Sequence, residues 1–393
     1  MKAGITLIRI VVGLLFIFSG LVKANDPLGL SYKMQEFFEV WGVHGLNHTT
    51  LASSLLMNAF EIIAGFALLI GWRIRLVSWL LLLLILFFTF LTGYTYVTGK
   101  PTNCGCFGDC LPITSQTSFL KDVVLTVLIG IIFWYRNKIK PLFSGRVSLV
   151  LMLLVTLFSF GLQWYALKYS PVVDCLPYKK GNNIAAKMKS PPGAVPDSFA
   201  IRFIYEKGGK QFEFEPAELP ADLDTYNYVD RKDKLVRKGN AEPPIKGFSL
   251  SAADGNDATA TVLEQPAALV LFCENFSTPF SSYKEDVTAL YQQAATKNIP
   301  LYVITSQREQ ATKYLQEAGL SQVPVYTCDV TAIRTAARTN PSLYLLQGGT
   351  VMEKEGHHRW GIIRSRLAAL PSLPPPPPVQ PDSLAADNGE VMN

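Results

Sequence analysis

The sequence predicts a membrane α-helical bundle, a four-helix core plus a fifth transmembrane helix, followed by an α/β domain outside the bilayer. Three observations predict it. Of 393 residues, 49% are hydrophobic and only 17% charged, with a mean hydropathy of +0.21, a bias that ordinary soluble chains seldom show. The charges are unevenly placed: of the 67 Asp, Glu, Lys and Arg side chains, 19 fall in residues 1–170. Beyond Gly247, short apolar runs alternate with helical periodicity, the pattern of a sheet covered by helices. The first part carries net +7 and the remainder net −2, so the formal +5 is no nucleic-acid footprint. This composition excludes collagen, coiled coil and wholly disordered chains.

Five apolar stretches, at about 5–22, 51–70, 76–98, 119–135 and 147–169, approach the roughly 20 residues a hydrocarbon core requires. The first lacks a small-residue cleavage site before Lys23 and reads as a retained helix, not a signal peptide. Arg73 and Arg75 occupy one short loop, and Arg136, Lys138, Lys140 and Arg146 another on the same side. The positive-inside rule makes that side cytoplasmic. The N-terminus is then cytoplasmic, while loops 24–50 and 99–118 and everything after Ser170 face outward, which in a bacterial inner membrane is the periplasm. Trp72, Trp134 and Trp164 with Tyr94, Tyr96 and Tyr165 mark span ends, as an aromatic belt would.

All six cysteines, Cys104, Cys106, Cys110, Cys175, Cys273 and Cys328, fall on that oxidising side, where disulfide chemistry is permitted. Three lie within seven residues, in Cys104-Gly105-Cys106-Phe107-Gly108-Asp109-Cys110. Two thiols one glycine apart form only a strained bond, and strained, exposed disulfides are the exchangeable ones. Cys110 is then the candidate resolving partner. Two alternatives stand beside this: Cys110 pairs with Cys104 or Cys106 to pin the loop, or the three thiolates bind a soft metal such as Cu(I) or zinc. The loop has no histidine, and His44 and His48 on the same side read as interfacial polar residues. Three structural bridges also fit an even cysteine count, and the fifteen connectivities are not separable by sequence.

The cysteine loop, before its Thr/Ser-Phe-x-Lys-Asp helix start, resembles the MauE branch of the DoxX-like membrane proteins. The resemblance extends to Arg9, Gly13, Phe16, Ser19, Gly20 and Lys23 with Asp26-Pro27 in the first helix, and to Glu61, Gly65 and Gly71 in the second. It covers roughly residues 1–140 and implies a four-helix bundle whose outward cysteines handle disulfides or quinone-linked electron transfer. Cys104 and Cys106 carry over as the redox pair, and Cys110 lies outside the family's pattern. The family name derives from methylamine utilisation.

Two ionisable residues fall inside spans, where an unpaired charge is expensive. Glu61 lies near the midplane and Arg9 nearer the cytoplasm. They pair if the first two helices pack together; otherwise Arg9 snorkels to the interface and Glu61 is protonated.

Residues 170–246 read as a linker and a small β-rich segment, with a hairpin turning at Lys207-Gly-Gly-Lys210. Over 247–370, strands near 269–272, 301–304, 325–326 and 342–346 alternate with helices near 283–297, 309–318 and 332–338. Asn340-Pro341-Ser-Leu-Tyr-Leu-Leu-Gln-Gly348-Gly349 resembles the thioredoxin segment in which a cis-proline precedes a hairpin strand, with Pro341 in the cis role. The resemblance departs at the dithiol: Cys273-Glu-Asn-Phe-Ser-Thr stands where thioredoxins carry Cys-x-x-Cys. Cys273 and Cys328 therefore read as buried small hydrophobes with a strand between them, and the domain as a binding platform. Residues 371–393 form a Pro-rich tail expected to be disordered.

The reading that follows is an inner-membrane thiol–disulfide redox protein. Cys104, Cys106 and Cys110 exchange electrons with a quinone, or with a periplasmic or envelope protein docked by the dithiol-less domain. Lipid is the surrounding partner, and no nucleic acid and no metal are assigned. Its rivals are a non-enzymatic scaffold with structural cysteines and a soft-metal loop. Transport ranks below these because five spans with so few internal charges show no clear ion path.

Overall fold

A computed structural model describes residues 2–101, 105, 108–111, 113–196, 198–237, 239 and 241–374; the Pro-rich tail expected at 371–393 lies largely outside them. Among the described residues, five helices are long and apolar enough to cross a membrane: α1 (Lys2–Asn25), α3 (Thr50–Ile70), α4 (Ile74–Thr98), α5 (Ser115–Tyr135) and α6 (Gly145–Tyr169). The protein is thus a multi-pass membrane protein. Between α1 and α3, where the sequence suggested only a loop, lies α2 (Pro27–Val40). Asp26 starts it, its side chain accepting from the Gly29 amide at 3.1 Å, and Pro27 supplies a preset first-turn φ.

Small residues set the closest helix contact. A Cβ placed on Gly65 of α3 would lie 2.8 Å from the Gly13 carbonyl of α1, and one on Gly20 would lie 2.7 Å from Ile62. Side chains there would force the two backbones apart; their absence lets the helices approach as membrane helices do without a hydrophobic driving force. Val12, Phe16, Leu68, Leu81, Ile129 and Ile132 fill the bundle core.

After α6 the chain forms the short α7 (Ile184–Lys187), then a three-stranded antiparallel sheet in the order β2-β1-β3 from β1 (Ser198–Lys207), β2 (Lys210–Phe214) and β3 (Asn227–Arg237). The sequence's hairpin turns where expected, with Lys207 opposite Lys210. One face of this sheet gathers Phe203, Tyr205, Phe212, Phe214, Tyr226 and Tyr228 in mutual ring contact.

The α/β domain follows with α8 (Thr259–Leu263), β4 (Ala268–Cys273), α9 (Lys284–Ala295), β5 (Leu301–Thr305), α10 (Arg308–Glu317), β6 (Val325–Thr327), α11 (Val330–Ala336), β7 (Ser342–Gln347), β8 (Thr350–Gly356) and α12 (Trp360–Ala369). Its strands order as β6-β5-β4-β7-β8, the first three parallel and β7 and β8 antiparallel. This is a thioredoxin-like sheet. Because successive strand residues face opposite sides, Val270, Phe272, Ile304 and Tyr344 bury on one face with α11, and Leu269, Leu271, Val303 and Leu345 on the other with α9 and α12. Cys273 packs in the second layer and Cys328 in the first, with β5 between their strands. The stretch read as a linker joins this core: Tyr178 and Ile184 pack with Phe248, and the Ile184 amide donates to the Gly349 carbonyl at 2.9 Å.

Candidate functional site

The bundle's end that carries α2 also carries the cysteine loop. Gly99 ends α4 with φ +69°, the Lys100–Pro101 peptide is cis, and Gly105 follows with φ +69°, its α-carbon turned onto Lys33 of α2. A Cβ at Gly105 would lie 3.0 Å from Lys33 Cγ, so both the conformation and the contact call for glycine. The Gly108 amide donates to the Gly105 carbonyl at 3.0 Å, closing a turn that delivers Cys110.

Cys110 does not pair within its loop, as one sequence reading held. It forms a disulfide with Cys175, 65 residues away, with Cα atoms 4.8 Å apart. The bridge ties the α4–α5 loop to the segment leaving α6. A sequence cannot show this, because the partner is brought near only when α6 packs on α3. Cys104 and Cys106 lie outside the described residues.

Beneath the loop, an apolar cavity of about 280 Å³ opens among α1, α2, α3, α4 and α5. Phe16, Phe37, Trp41, Met57, Phe87 and Phe88 line it, and Gly105 forms part of its wall. Two ion pairs face it. Lys23 Nζ meets Glu61 Oε1, with the two side chains 3% and 1% exposed. Lys121 Nζ lies 2.5 Å from Asp122 Oδ1, and Thr92 Oγ1 donates to Asp122 Oδ2 at 3.0 Å.

The Lys23 pair corrects the expectation that Glu61 meets Arg9. The sequence placed Lys23 in a turn beyond the first span; α1 instead continues to Asn25 and turns Lys23 inward. Arg9 is buried at 7% exposure elsewhere on α1, and its Nε has no hydrogen-bond partner among the described residues. Lys23 Nζ also lies 5.0 Å from the Phe88 ring centroid. Asn58 steadies the site from α3, donating to the Lys23 carbonyl and to Gln163 Oε1 of α6, each at 3.2 Å. Glu61 Oε2 keeps no hydrogen-bond partner among the described residues. Such a buried oxygen is costly unless something in the cavity uses it. The signal for Lys23 was present in the sequence as a lone cation at a span end, but its inward direction depends on helix packing.

The α/β domain docks on α2 by the rim where β4 ends. Tyr32 of α2 lies between Arg334 and Arg338, 4.9 and 5.5 Å from its ring centroid. Arg338 Nε donates to Asp26 Oδ2 at 2.8 Å, Arg334 Nε to Glu274 Oε1 at 2.8 Å, and Arg334 Nη1 to Gln35 Oε1 at 3.0 Å. Burial raises the Tyr32 hydroxyl pKa, with Glu274 adding to the rise. Asn340, whose peptide to Pro341 is cis, accepts from the Glu274 amide at 3.1 Å. The rim carrying Pro341 and the end of β4 therefore faces α2 of its own chain. Cys273 and Cys328 are free and buried. Burial pushes the Cys273 thiol up to about 12 and that of Cys328 up to about 11. A thiol held that far above neutrality is not a nucleophile, so neither replaces the missing dithiol.

Residues 1–135 match a family described as methylamine utilisation protein MauE, and residues 199–238 match a domain of unknown function, DUF8463. Protein TlpB of Flavobacterium psychrophilum is 27% identical over 159 residues, which are 38% of this chain and 42% of that protein. The chain thus spans about two fifths of that relative's length. Among solved structures, a protein assigned as a thioredoxin from Neisseria meningitidis is 17% identical, covering 31% of this chain and 85% of its own, with a TM-score of 0.27. The C-terminal domain of a protein assigned as a thiol-disulfide oxidoreductase from Bacteroides thetaiotaomicron is 16% identical over 31% of this chain and 93% of its own, with a TM-score of 0.25.

Proposed function

We propose that this protein is a thiol–disulfide redox protein of the bacterial inner membrane, with the N-terminus cytoplasmic and the α/β domain periplasmic. Cys104 and Cys106 cycle between dithiol and disulfide, and the bundle cavity holds a quinone as electron acceptor. One observation carries the reading: Gly105, the residue joining the two thiols, lies in the wall of an apolar, aromatic-lined cavity of about 280 Å³ inside the membrane bundle. Cys104 and Cys106 are its two neighbours in the chain.

The cavity's residues suit a planar ring with polar oxygens and an apolar tail, since small-ligand sites combine an apolar lining with few fixed polar groups. Oxidising a dithiol releases two electrons and two protons, which a quinone takes up on becoming a quinol. Lys23 Nζ is a donor available to a carbonyl oxygen, and Phe88 and Glu61 hold it at the cavity. Glu61 Oε2, with no other partner among the described residues, is a proton acceptor beside it. A catalytic donor needs this placement within hydrogen-bond reach before its acidity matters. The α/β domain has no dithiol; its part is to hold α2 and the Cys175 segment over the loop.

The test is reduction of a short-tailed ubiquinone by the purified, dithiol-reduced protein, followed by quinone absorbance. Stoichiometric oxidation of the Cys104 and Cys106 thiols is expected, and its loss in Cys104→Ser and Cys106→Ser. Undiminished quinone reduction in both variants would refute the assignment. The second reading, a non-enzymatic scaffold, draws on the Cys110–Cys175 bridge and the two buried thiols; a loop that stays fully oxidised in respiring cells would favour it.

A further inference from the structure

We infer that the Cys110–Cys175 disulfide is the entry station for electrons, taking them from a dithiol of a periplasmic protein and passing them to Cys104 and Cys106. This rests on the redox reading above. Two chambers meet at Lys33 of α2, and Cys175 of the bridge lines one of them. On one side is the bundle cavity. On the other is a cleft of about 300 Å³ between α2 and α11, lined by Cys175 with Tyr32, Lys33, Pro177, Arg334 and Arg338. Lys33 lines both chambers and packs against Gly105, so the cleft and the cavity share one wall.

The cysteines differ in what can reach them. Cys110 and Cys175 are partly exposed, whereas Cys273 and Cys328 are buried. A bridge meant only to pin the chain gains nothing from facing a polar cleft. Cys110 stands four residues after Cys106, at most about 14 Å of extended chain. Lys33, Arg334 and Arg338 line the cleft beside Cys175 and pair with Glu36, Glu274 and Asp26, each at 2.8 Å, so the cleft offers a client both charges.

The exchange balances at every step. A client thiolate attacks Cys175 Sγ and expels the Cys110 thiolate. The client's second thiol resolves that mixed disulfide, leaving the client oxidised and Cys175 reduced. The Cys110 thiolate then attacks the Cys104–Cys106 disulfide, and Cys175 resolves the product. The bridge is restored, and Cys104 and Cys106 hold the electron pair and the two protons that came from the client. One S–S bond breaks and one forms at each attack; the quinone of the proposed function is the terminal oxidant.

The experiment uses the full chain in lipid nanodiscs with a short-tailed ubiquinone and, as the dithiol probe, a reduced Cys-x-x-Cys peptide. With quinone withheld and peptide in excess, alkylation and mass mapping should find Cys110 and Cys175 reduced together with Cys104 and Cys106. With quinone present, the Cys110→Ser and Cys175→Ser double variant should oxidise the peptide at least tenfold more slowly. In Cys175→Ser alone, a Cys110 disulfide to Cys104 or Cys106 should accumulate. A wild-type bridge that stays oxidised under excess peptide while Cys104 and Cys106 become reduced would overturn the inference, as would a double variant turning over at the wild-type rate. The mapping needs no variant, so a misfolded mutant leaves it decisive. If the four cysteines exchange but no quinol forms, the quinone assignment fails and the relay stands.

Discussion

Lys23 of α1 and Glu61 of α3 form an ion pair inside the membrane bundle, with 3% and 1% of the side chains exposed. The pair exists because Gly13, Gly20 and Gly65 let the two helices approach to backbone contact. It faces the aromatic cavity below the cysteine loop, and so links helix packing to the proposed chemistry.

Removing one partner strands the other charge. Lys23→Met or Glu61→Leu alone should each cost about 3 kcal/mol or more, whereas the double variant should recover most of that loss. Thermal unfolding in detergent across the four proteins gives the coupling energy. Simple additivity would show that the two side chains do not interact. Quinone reduction should stay impaired in the double variant even where stability returns.

The Cys110–Cys175 bridge closes a separation of 65 residues. On the chain-entropy estimate its loss removes about 4 kcal/mol of stability. Denaturant midpoints for the wild type and Cys110→Ala/Cys175→Ala, both in the absence of reductant, measure it. A shift near zero would mean that the unfolded chain is already constrained by its membrane helices.

Arg338, 5% exposed, pairs with Asp26 at 2.8 Å and lies over Tyr32. Arg338→Ala should release the α/β domain from α2, leaving Asp26 unpaired. Hydrogen exchange in α2 and protease cleavage near residues 170–176 should both rise severalfold. Lys207→Ala, which breaks the exposed pair with Asp222 and the contact with the Tyr226 ring, should change neither. Equal protection in all three proteins would place the docking energy elsewhere.

Cys273 gives a pH dependence with a definite sign. Burial raises its thiol from 9.0 to about 12, and a hydrogen bond with Tyr283 partly offsets the rise. Between those values the folded state retains a proton that the unfolded state has lost. Stability from this group is therefore complete below about pH 9 and falls as pH rises toward 12. Iodoacetamide at pH 8.5 should label Cys273 in urea but not in the native protein. Cys273→Val should show a shallower alkaline loss of stability than the wild type. A native thiol that labels freely would contradict its burial.

Much of the architecture was legible in the chain because it depends on local patterns. Apolar runs near 20 residues marked the five spans. Lys207-Gly-Gly-Lys210 marked the hairpin, and the strand and helix periods after Gly247 marked the sheet. The Cys273-Glu-Asn-Phe stretch announced a domain without a dithiol, and the burial of Cys273 and Cys328 on opposite layers agrees. Helix α2 was missed because its amphipathic pattern is weak and its start rests on one cap, Asp26.

The sequence by itself determined the membrane spans, the α/β sheet and the crowding of three thiols in one loop, since each follows from composition and short-range spacing. Only the tertiary structure decided that Glu61 pairs with Lys23 and not Arg9, that Cys110 bonds Cys175, and that Gly105 lines a cavity shared by five helices. Those are contacts between residues 38, 65 and more positions apart, fixed by which helix faces meet. A linear pattern gives the residues of each face, but the partner across the gap is chosen by close packing at Gly13, Gly20 and Gly65.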